Sequence, residues 1–453
     1  MSNTSPVHDR PNRRDFLHTT AAAGAALTAS TLIPGGVHAA GSDEIRVGII
    51  GTGGRGQGAG VNVLQSARGV KIVALGDYFR ENEHRRGVIP ARERFTKFAK
   101  NDGKVKELGN SVDLPDSRLF TGLDAYKRVL EQDINYVILA TSPGFRPIHL
   151  EAAVAAGKTI FTEKPVGVDG TGIRKVLATY EAANKKGLSI GAGTQRRHQL
   201  GYQETMKRIH DGAIGEIVNA RAYWNGGFIW FRPRQEGQTD LDYQIQNWYH
   251  FLWVCGDHIV EQHVHNLDVV NWATGKHPVA AVGMGGRVRP YHDPDVEGNI
   301  FNFFSIDFEY PGGMHVHSMA RQINNCAKSI SEALVGTKGT CQPNTYTING
   351  KRILSRRARP TNPYVQEHTD LIASVRSGKP YNELKNVAES TLTAILGRMS
   401  AYTGEQVTWE QALLTSQDTM PKDLRQDMKL EADPLPVPGT TRVPPTVKAG
   451  VGA

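Results

Sequence analysis

The chain reads as an α/β protein that opens with a doubly wound parallel sheet and continues into antiparallel strands. Three observations predict this. Short apolar runs alternate with helical patterns from Glu44 onward, the mark of βαβ units. A glycine loop, Gly51-Thr52-Gly53-Gly54-Arg55-Gly56, follows the first of these runs. Near Thr194 the pattern changes to alternating apolar and polar residues, as in strands with one covered face.

Residues 1–39 precede the first strand. Asn12-Arg13-Arg14-Asp15-Phe16-Leu17 and an Ala-rich run to Ile33 predict a twin-arginine export signal. The apolar core is too short and too poor in Leu to span a bilayer. Val37-His38-Ala39 supplies a small-residue cleavage site, which starts the mature chain near Ala40. The alternative is an N-terminal extension that merely contains two arginines.

A nucleotide-binding domain is expected over 44–193. Ile45–Ile50 reads as a buried strand, followed by the glycine loop and a helix through Leu64. Val70–Leu75 is the second strand and ends at Gly76-Asp77. The charged stretch from Arg80 to Ser117 reads as an insertion over the nucleotide. Tyr136–Ala140, Thr159–Thr162 and Leu188–Gly191 are later strands, with a helix from His149 to Ala156.

A second domain is expected over 194–415. Glu216–Trp224, Asn302–Tyr310 and Met314–Ser318 read as antiparallel strands, the last two joined by a turn at Pro311-Gly312-Gly313. One helix carries Leu267, Val270 and Trp272, and another runs from Val387 to Tyr402 with a stop at Gly404. Residues 416–453 end in a Pro-, Gly- and Thr-rich stretch and read as an extended tail.

Composition narrows the function classes. The formal charge is +8, but the basic residues are scattered, with no basic stripe interleaved with aromatics, so nucleic acid is not expected as a partner. Beyond the leader no segment is long and apolar enough for membrane insertion. Three cysteines, Cys255, Cys326 and Cys341, are too few for a disulfide framework.

The glycine loop lies between a strand and a helix, the context a dinucleotide site requires. Gly51 permits a tight turn, Gly53 lets the backbone approach pyrophosphate, and Gly56 lets the helix pack on the sheet. Gly54 and Arg55 complete the cradle. Asp77 ends the next strand, where a carboxylate accepts both ribose hydroxyls and repels a 2′-phosphate. NAD is therefore favoured over NADP, and Arg80 is close enough to soften that preference.

Phe161-Thr162-Glu163-Lys164-Pro165, just past a strand and downstream of the glycine loop, resembles the glucose–fructose oxidoreductase, inositol dehydrogenase and rhizopine-catabolism (Gfo/Idh/MocA) family. Thr141, Ser142 and Pro143, with His149 in the next helix, resemble its cofactor-binding segment. Gly256 to Asp268 and Glu367-His368-Thr369-Asp370-Leu371 match its later segments, so the likeness runs from about Ile45 to about Glu410. It implies a Rossmann domain followed by an α/β domain with a large open antiparallel sheet. It also implies catalysis in the cleft between them and a homo-oligomer, a dimer or tetramer. Glu163 and Lys164 then border the cofactor. His265 aligns with the family's catalytic histidine, and Glu261 stands where the family usually has Asp.

Oxidation of a secondary alcohol moves a hydride to nicotinamide and a proton to the protein. Lys164 suits stabilisation of a developing alkoxide, and His265 suits proton removal. Glu261 is a third catalytic candidate, with a helix-capping or solvated carboxylate as its alternative. His258, Glu261 and His265 share a helical face, with His263 nearby, which leaves a metal-site reading open although no metal is assigned. Hydrogen bonds from His258 and His263 to sugar hydroxyls are the favoured reading.

Gln195, Arg196 and Arg197 follow the last strand of the first domain and are expected in the cleft, as is His198. Trp224, Asn225, Trp230, Trp248, Tyr249 and Trp253 cluster in the second half. Aromatic faces beside amides and cations suit a carbohydrate substrate, and core packing is the alternative for about half of the tryptophans. The sequence thus predicts an exported NAD-dependent oxidoreductase of sugars, glycosides or cyclitols. An NAD-dependent glycosidase working by transient C3 oxidation, and a non-catalytic sugar or nucleotide sensor, are the alternatives.

Overall fold

Ile45–Ile50 forms the centre of a parallel sheet in the computed structural model, which describes residues 43–82, 84–288, 298–355 and 357–447. The leader expected at 1–39, and the tail beyond residue 447, lie outside the described residues. The sheet has seven strands. Its path runs Ser111–Val112, Val70–Asp77, Ile45–Ile50, Tyr136–Leu139, Thr159–Thr162, Ile190–Ala192, and Leu119–Thr121 also pairs with Val70–Asp77. Every pairing in it is parallel, so the strands are buried on both faces and read as continuous apolar runs.

Two glycines set the geometry of the first crossover. Gly51 has φ +90°, and a Cβ there would overlap the backbone of Ala140 and Thr141. On the helix Gly54–Leu64, a Cβ at Gly60 would overlap the ring of Phe95 on the helix Val88–Asn101. That second helix refines one expectation. The stretch from Arg80 to Ser117 builds this helix into a crossover of the sheet, while Asn82 and Arg86 at its start line the cavity beside the glycine loop, where the stretch was expected over the nucleotide. Val88, Ala91 and Phe95 are buried at helical spacing beneath a charged outer face, and this face hid the periodicity. The helix expected from His149 begins at Arg146, with Pro147 accommodated in its first turn.

The second sheet has nine strands, ordered Lys351–Arg352, Thr347–Ile348, Gly339–Gln342, Ser329–Gly336, Ile217–Gly226, Met314–Gln322, Phe303–Tyr310, Ala280–Gly286, Val407–Thr408. It is mixed. Met314–Gln322 runs parallel to Ile217–Gly226, and the other pairs are antiparallel. Alternation in the sequence marks a covered face but carries nothing about the direction of a neighbouring strand. The inner face, including Ala222, Ile306, Phe308 and Val316, is buried in one cluster with the helices Val264–Thr274 and Leu384–Thr403. The latter helix is buried almost all round and stops at Gly404, φ +75°.

The chain crosses back after the second sheet. The helix Pro363–Arg376 places Leu371 and Ile372 in the core of the parallel sheet, and Asn382 bridges Ile190. The first unit is therefore completed by residues far beyond 193. The tail from 416 contains no helix or strand among its described residues, yet it is tied down. Thr419 donates its N–H and hydroxyl to Asp169, both at 2.7 Å.

Gly60→Ala should lower stability by about 1–3 kcal/mol, because the added methyl displaces the Phe95 ring in a filled interface. Thermal unfolding should show this while nucleotide affinity stays unchanged.

Candidate functional site

The carboxyl ends of the parallel strands and the segment from Phe228 to His265 wall one cavity of about 790 Å3. The glycine loop lies on its floor. A Cβ on Gly53 would meet no atom within 4 Å, so the backbone there is bare toward the cavity. Gly56 faces the other way: a Cβ would overlap the Gly51 carbonyl oxygen, so the residue serves helix packing. The bare backbone and the N-terminus of the helix Gly54–Leu64 suit a pyrophosphate.

Asp77 ends its strand in the cavity wall. Its Oδ2 accepts the Thr52 N–H at 2.5 Å and the Thr52 hydroxyl at 2.9 Å, and its Oδ1 accepts the Phe79 N–H at 3.0 Å. Burial raises its pKa, and these hydrogen bonds oppose the rise. The carboxylate is thus fixed at the cavity wall by the glycine loop. The donor set fits NAD without a 2′-phosphate partner from Arg80, which is exposed and outside the cavity wall.

The reacting end is built where Thr159–Thr162 stops. Lys164 is 9% exposed, and its ammonium lies 3.0 Å from Glu261 Oε1 and also donates to the Glu261 carbonyl. Burial raises the Glu261 carboxyl, and Lys164 works against that rise. Glu261 therefore serves Lys164. The second domain supplies it from a π-helical turn, Ile259–His263, that runs into the helix Val264–Thr274.

His265 opens that helix toward the cavity, and Trp224 stacks on it with centroids 5.9 Å apart and planes at 24°. Burial, with the charges of Lys164, Arg196 and Arg55, holds its pKa well below the usual range. The imidazole is therefore neutral at neutral pH.

Other predicted residues meet here as well. Thr141, Ser142, Pro143, Glu163, Gln195 and Trp248 line the cavity. His149 lines it too, with Nδ1 3.0 Å from the Thr141 hydroxyl; burial and then Arg146 lower its pKa to about 3. Arg55 donates to Glu163, lies 3.4 Å from Glu367 Oε1, and covers the ring of Tyr364 at 4.7 Å. Burial first, and then the neighbouring Glu163, push Glu367 well above the usual carboxyl range.

Several residues expected at the substrate are elsewhere. His258 is fully buried, 3.0 Å from Asp257 Oδ1 and against Phe304. His263 is fully buried with Nε2 2.7 Å from the Ser318 hydroxyl. The expectation assumed an α-helical face, and the π turn shifts the register between 258 and 265. Arg196 pairs with Glu332 at 2.6 Å, and Arg197 is forked onto Asp268 at 2.9 Å. His198 sits between Asp370 and Glu383, and Asn225 is buried in its strand. None of these six lines the cavity. The metal reading loses its ligand set with them: among the described residues no group of three His, Cys, Asp or Glu side chains is arranged to hold an ion.

Six contributors were not anticipated from the sequence. Arg146 is 1% exposed and donates to the carbonyls of Leu139, Thr141 and Glu163, tying two strand ends to the residue before Lys164. Nothing in an Arg-Pro at a helix start signals this. Tyr78 and Phe79 line the cavity directly after Asp77, a position that the strand-end rule could have flagged. Phe228, Ile229 and Arg232 extend the wall around Trp230, whose aromatic neighbours were visible.

Residues 45–192 match the model of the oxidoreductase family with an NAD-binding Rossmann fold (GFO_IDH_MocA), and 202–342 match the GFO/IDH/MocA C-terminal domain. An inositol 2-dehydrogenase of Paracoccus denitrificans is 25% identical over 39% of this chain and 43% of that protein. A glycosyl hydrolase family 109 protein of Porphyromonas gingivalis is 29% identical over 44% of this chain and 38% of that protein. The matched stretch thus spans less than half the length of these two relatives. The structure of scyllo-inositol dehydrogenase from Lactobacillus casei with NAD(H) and scyllo-inositol superposes with a TM-score of 0.58 at 16% identity, covering 81% of this chain and 99% of that chain.

The neutral, buried histidines predict the pH response. His265 has a folded pKa below the unfolded value of about 6.5, so activity that depends on it should be flat from about pH 6.5 to 8. The unfolded chain binds more protons below about pH 6.5, so stability should be lost as the pH falls through that point, with His149 and His263 adding to the loss down to about 3. A kcat/KM acid limb at or above 6.5 that disappears in His265→Ala would contradict this placement.

Proposed function

The chain belongs to the GFO/IDH/MocA oxidoreductase family, and from that premise we propose that it is an exported NAD-dependent oxidoreductase of a sugar, glycoside or cyclitol, with its cofactor held and recycled in place. One observation carries the reading. Lys164, Glu261 and His265 share a cavity wall with the glycine loop and Asp77.

Bound NAD supplies the hydride acceptor. The chain's own groups supply the rest. Asp77 receives the ribose hydroxyls, and the glycine backbone receives the pyrophosphate. The Lys164 ammonium stabilises negative charge on the carbinol oxygen in a site where water is largely excluded. Neutral His265 takes the hydroxyl proton, and the stacked Trp224 holds its ring. Glu261 fixes the direction of the Lys164 ammonium. Gln195 offers an amide to substrate hydroxyls, while Trp248 and Tyr249 offer ring faces.

The relatives named inositol 2-dehydrogenase support a cyclitol or sugar alcohol as the substrate class. The Arg13-Arg14 leader supports export of a folded, loaded enzyme. No free nicotinamide pool is expected outside the cytoplasm, so the reduced cofactor must be reoxidised where it is bound. The glycosidase alternative rests on the family 109 relative and on the wall of Phe228, Trp230 and Trp248, whose apolar faces suit an aglycone. In that cycle C3 is oxidised, the C2 proton is lost, the leaving group is eliminated, water adds, and the hydride returns.

Denatured protein should release NAD near one per chain. Lys164→Ala and His265→Ala should each keep NAD and lose on the order of a hundredfold in turnover. Exchange of the C2 hydrogen in deuterated water, with release of aglycone, would select the glycosidase cycle. Steady release of free NADH under excess NAD would sink in-place recycling.

The outer face of the nine-stranded sheet supports a homo-oligomer. Val282 and Met284 are 51% and 73% exposed on one strand, Phe303 is exposed on the adjacent strand, and Val335 is exposed further across the same face. A second copy of this face would cover them. Light scattering should give at least a dimer, and Met284→Asp should shift it toward monomer with the fold intact.

A further inference from the structure

We infer that the hydrogen bond from Tyr78 to Asp242 is a latch that retains the dinucleotide in the cleft. The inference rests on the proposed NAD site and adds to it the two residues that set how long the cofactor stays.

Tyr78 directly follows Asp77, so one short segment both meets the ribose and carries the latch. Its hydroxyl donates to Asp242 Oδ1 at 2.5 Å, joining the nucleotide domain to the helix Asp240–Gln246 of the second domain. Burial and then Asp242 raise the phenol pKa, so the hydroxyl keeps its proton and donates throughout the neutral range.

The helix bearing Asp242 is anchored from behind. Thr239 caps it by accepting the Asp242 N–H at 3.1 Å. Leu430 of the tail donates its N–H to Asp240 at 3.0 Å and accepts from Gln244 at 2.6 Å. Met420, Leu424 and Leu430 pack on the cluster of Leu241, Tyr243, Phe251, Trp253 and Val254, which Tyr78 also joins.

The same helix leads into the cavity wall. Asn247 grips Arg232 twice, accepting its N–H and donating to its carbonyl, each at 2.9 Å. His250 Nε2 lies 2.9 Å from the Trp230 carbonyl. Trp230 and Arg232 therefore line the same cavity as Gly53 and Asp77, on a segment fixed to the tail. A dinucleotide lying along the glycine loop leaves by parting this wall from the 77–79 segment, and the Tyr78–Asp242 bond resists that parting.

The test measures cofactor release from full-length, NAD-loaded protein, by displacement with excess fluorescent etheno-NAD. Tyr78→Phe and Asp242→Ala should each raise the dissociation rate on the order of tenfold or more, the size expected for a hydrogen bond to a charged group. The double variant should release no faster than either single one. Equal rates in wild type and both variants, with NAD still bound, would overturn the latch and leave the proposed function standing. Additive effects in the double variant would overturn it too, because general loosening would then be the cause. Failure of the wild-type protein to bind NAD at all would remove the proposed function and the latch together.

Discussion

The ion pair between Lys164 and Glu261 joins the two halves of the molecule at the reacting end of the cleft. Each side chain is about nine-tenths buried, and neither charge could be held there without the other. The pair constrains both halves at once. Lys164 must leave the parallel sheet at the end of Thr159–Thr162, and Arg146 fixes the Glu163 carbonyl just before it. Glu261 must present both its carboxylate and its carbonyl, and the π turn that carries it turns both toward Lys164. His265 then begins the α-helix facing the same cavity, with its basicity depressed by burial and then by the cation beside it.

Much of the nucleotide half could be read directly from the residues. A glycine loop between a strand and a helix, with Asp77 at the end of the next strand, has few other physical solutions. The proposed roles of Lys164, Glu261 and His265 were accessible mainly through resemblance, because nothing local to Glu261 or His265 states that Lys164 approaches from another domain. Most of the failures share one cause. His263, Arg196 and Arg197 are polar residues in a region expected to be polar, yet each meets a buried partner distant in sequence, while His258 turns to its neighbour Asp257. Asp268 and Glu332 are examples, 71 and 136 positions from the arginines they bind. A sequence shows that a charge exists; only the fold shows whether its partner is a substrate or a carboxylate. The parallel pairing inside the second sheet was hidden for the same reason, since alternation is identical in either direction.

Those buried pairs still bear on function. Arg197 on Asp268 and Arg196 on Glu332 fasten the chain after the last parallel strand to the helix and sheet of the second domain. Ser390 of the central helix also donates to Asp268, at 2.8 Å. Asp268 lies one turn beyond His265, so the helix that carries His265 is held to both neighbours. Such charges would be costly alone and are tolerated because each is satisfied by a fork or a second hydrogen bond. They make the cleft geometry rigid, which a proton transfer between fixed groups requires.

Rigidity at the reacting end and specificity at the mouth are separately built. Lys164, Glu261 and His265 stand on a strand end, a π turn and a helix start, and each is tied by buried hydrogen bonds or stacking. The wall from Phe228 to Trp248 is mostly loop and short helix, held at Trp230 and Arg232 by His250 and Asn247. Substitutions there alter which rings and hydroxyls fit without moving the proton-handling groups. This separation explains how one family architecture accommodates relatives named as cyclitol dehydrogenases and as a glycosyl hydrolase. Oxidation at a carbinol is common to both outcomes. What differs is whether the neighbouring carbon carries a leaving group and whether the wall leaves room for it. Under the proposed function, the substrate that the aromatic wall admits would decide between net oxidation and a closed redox cycle, while the ion pair and histidine beneath it stay the same.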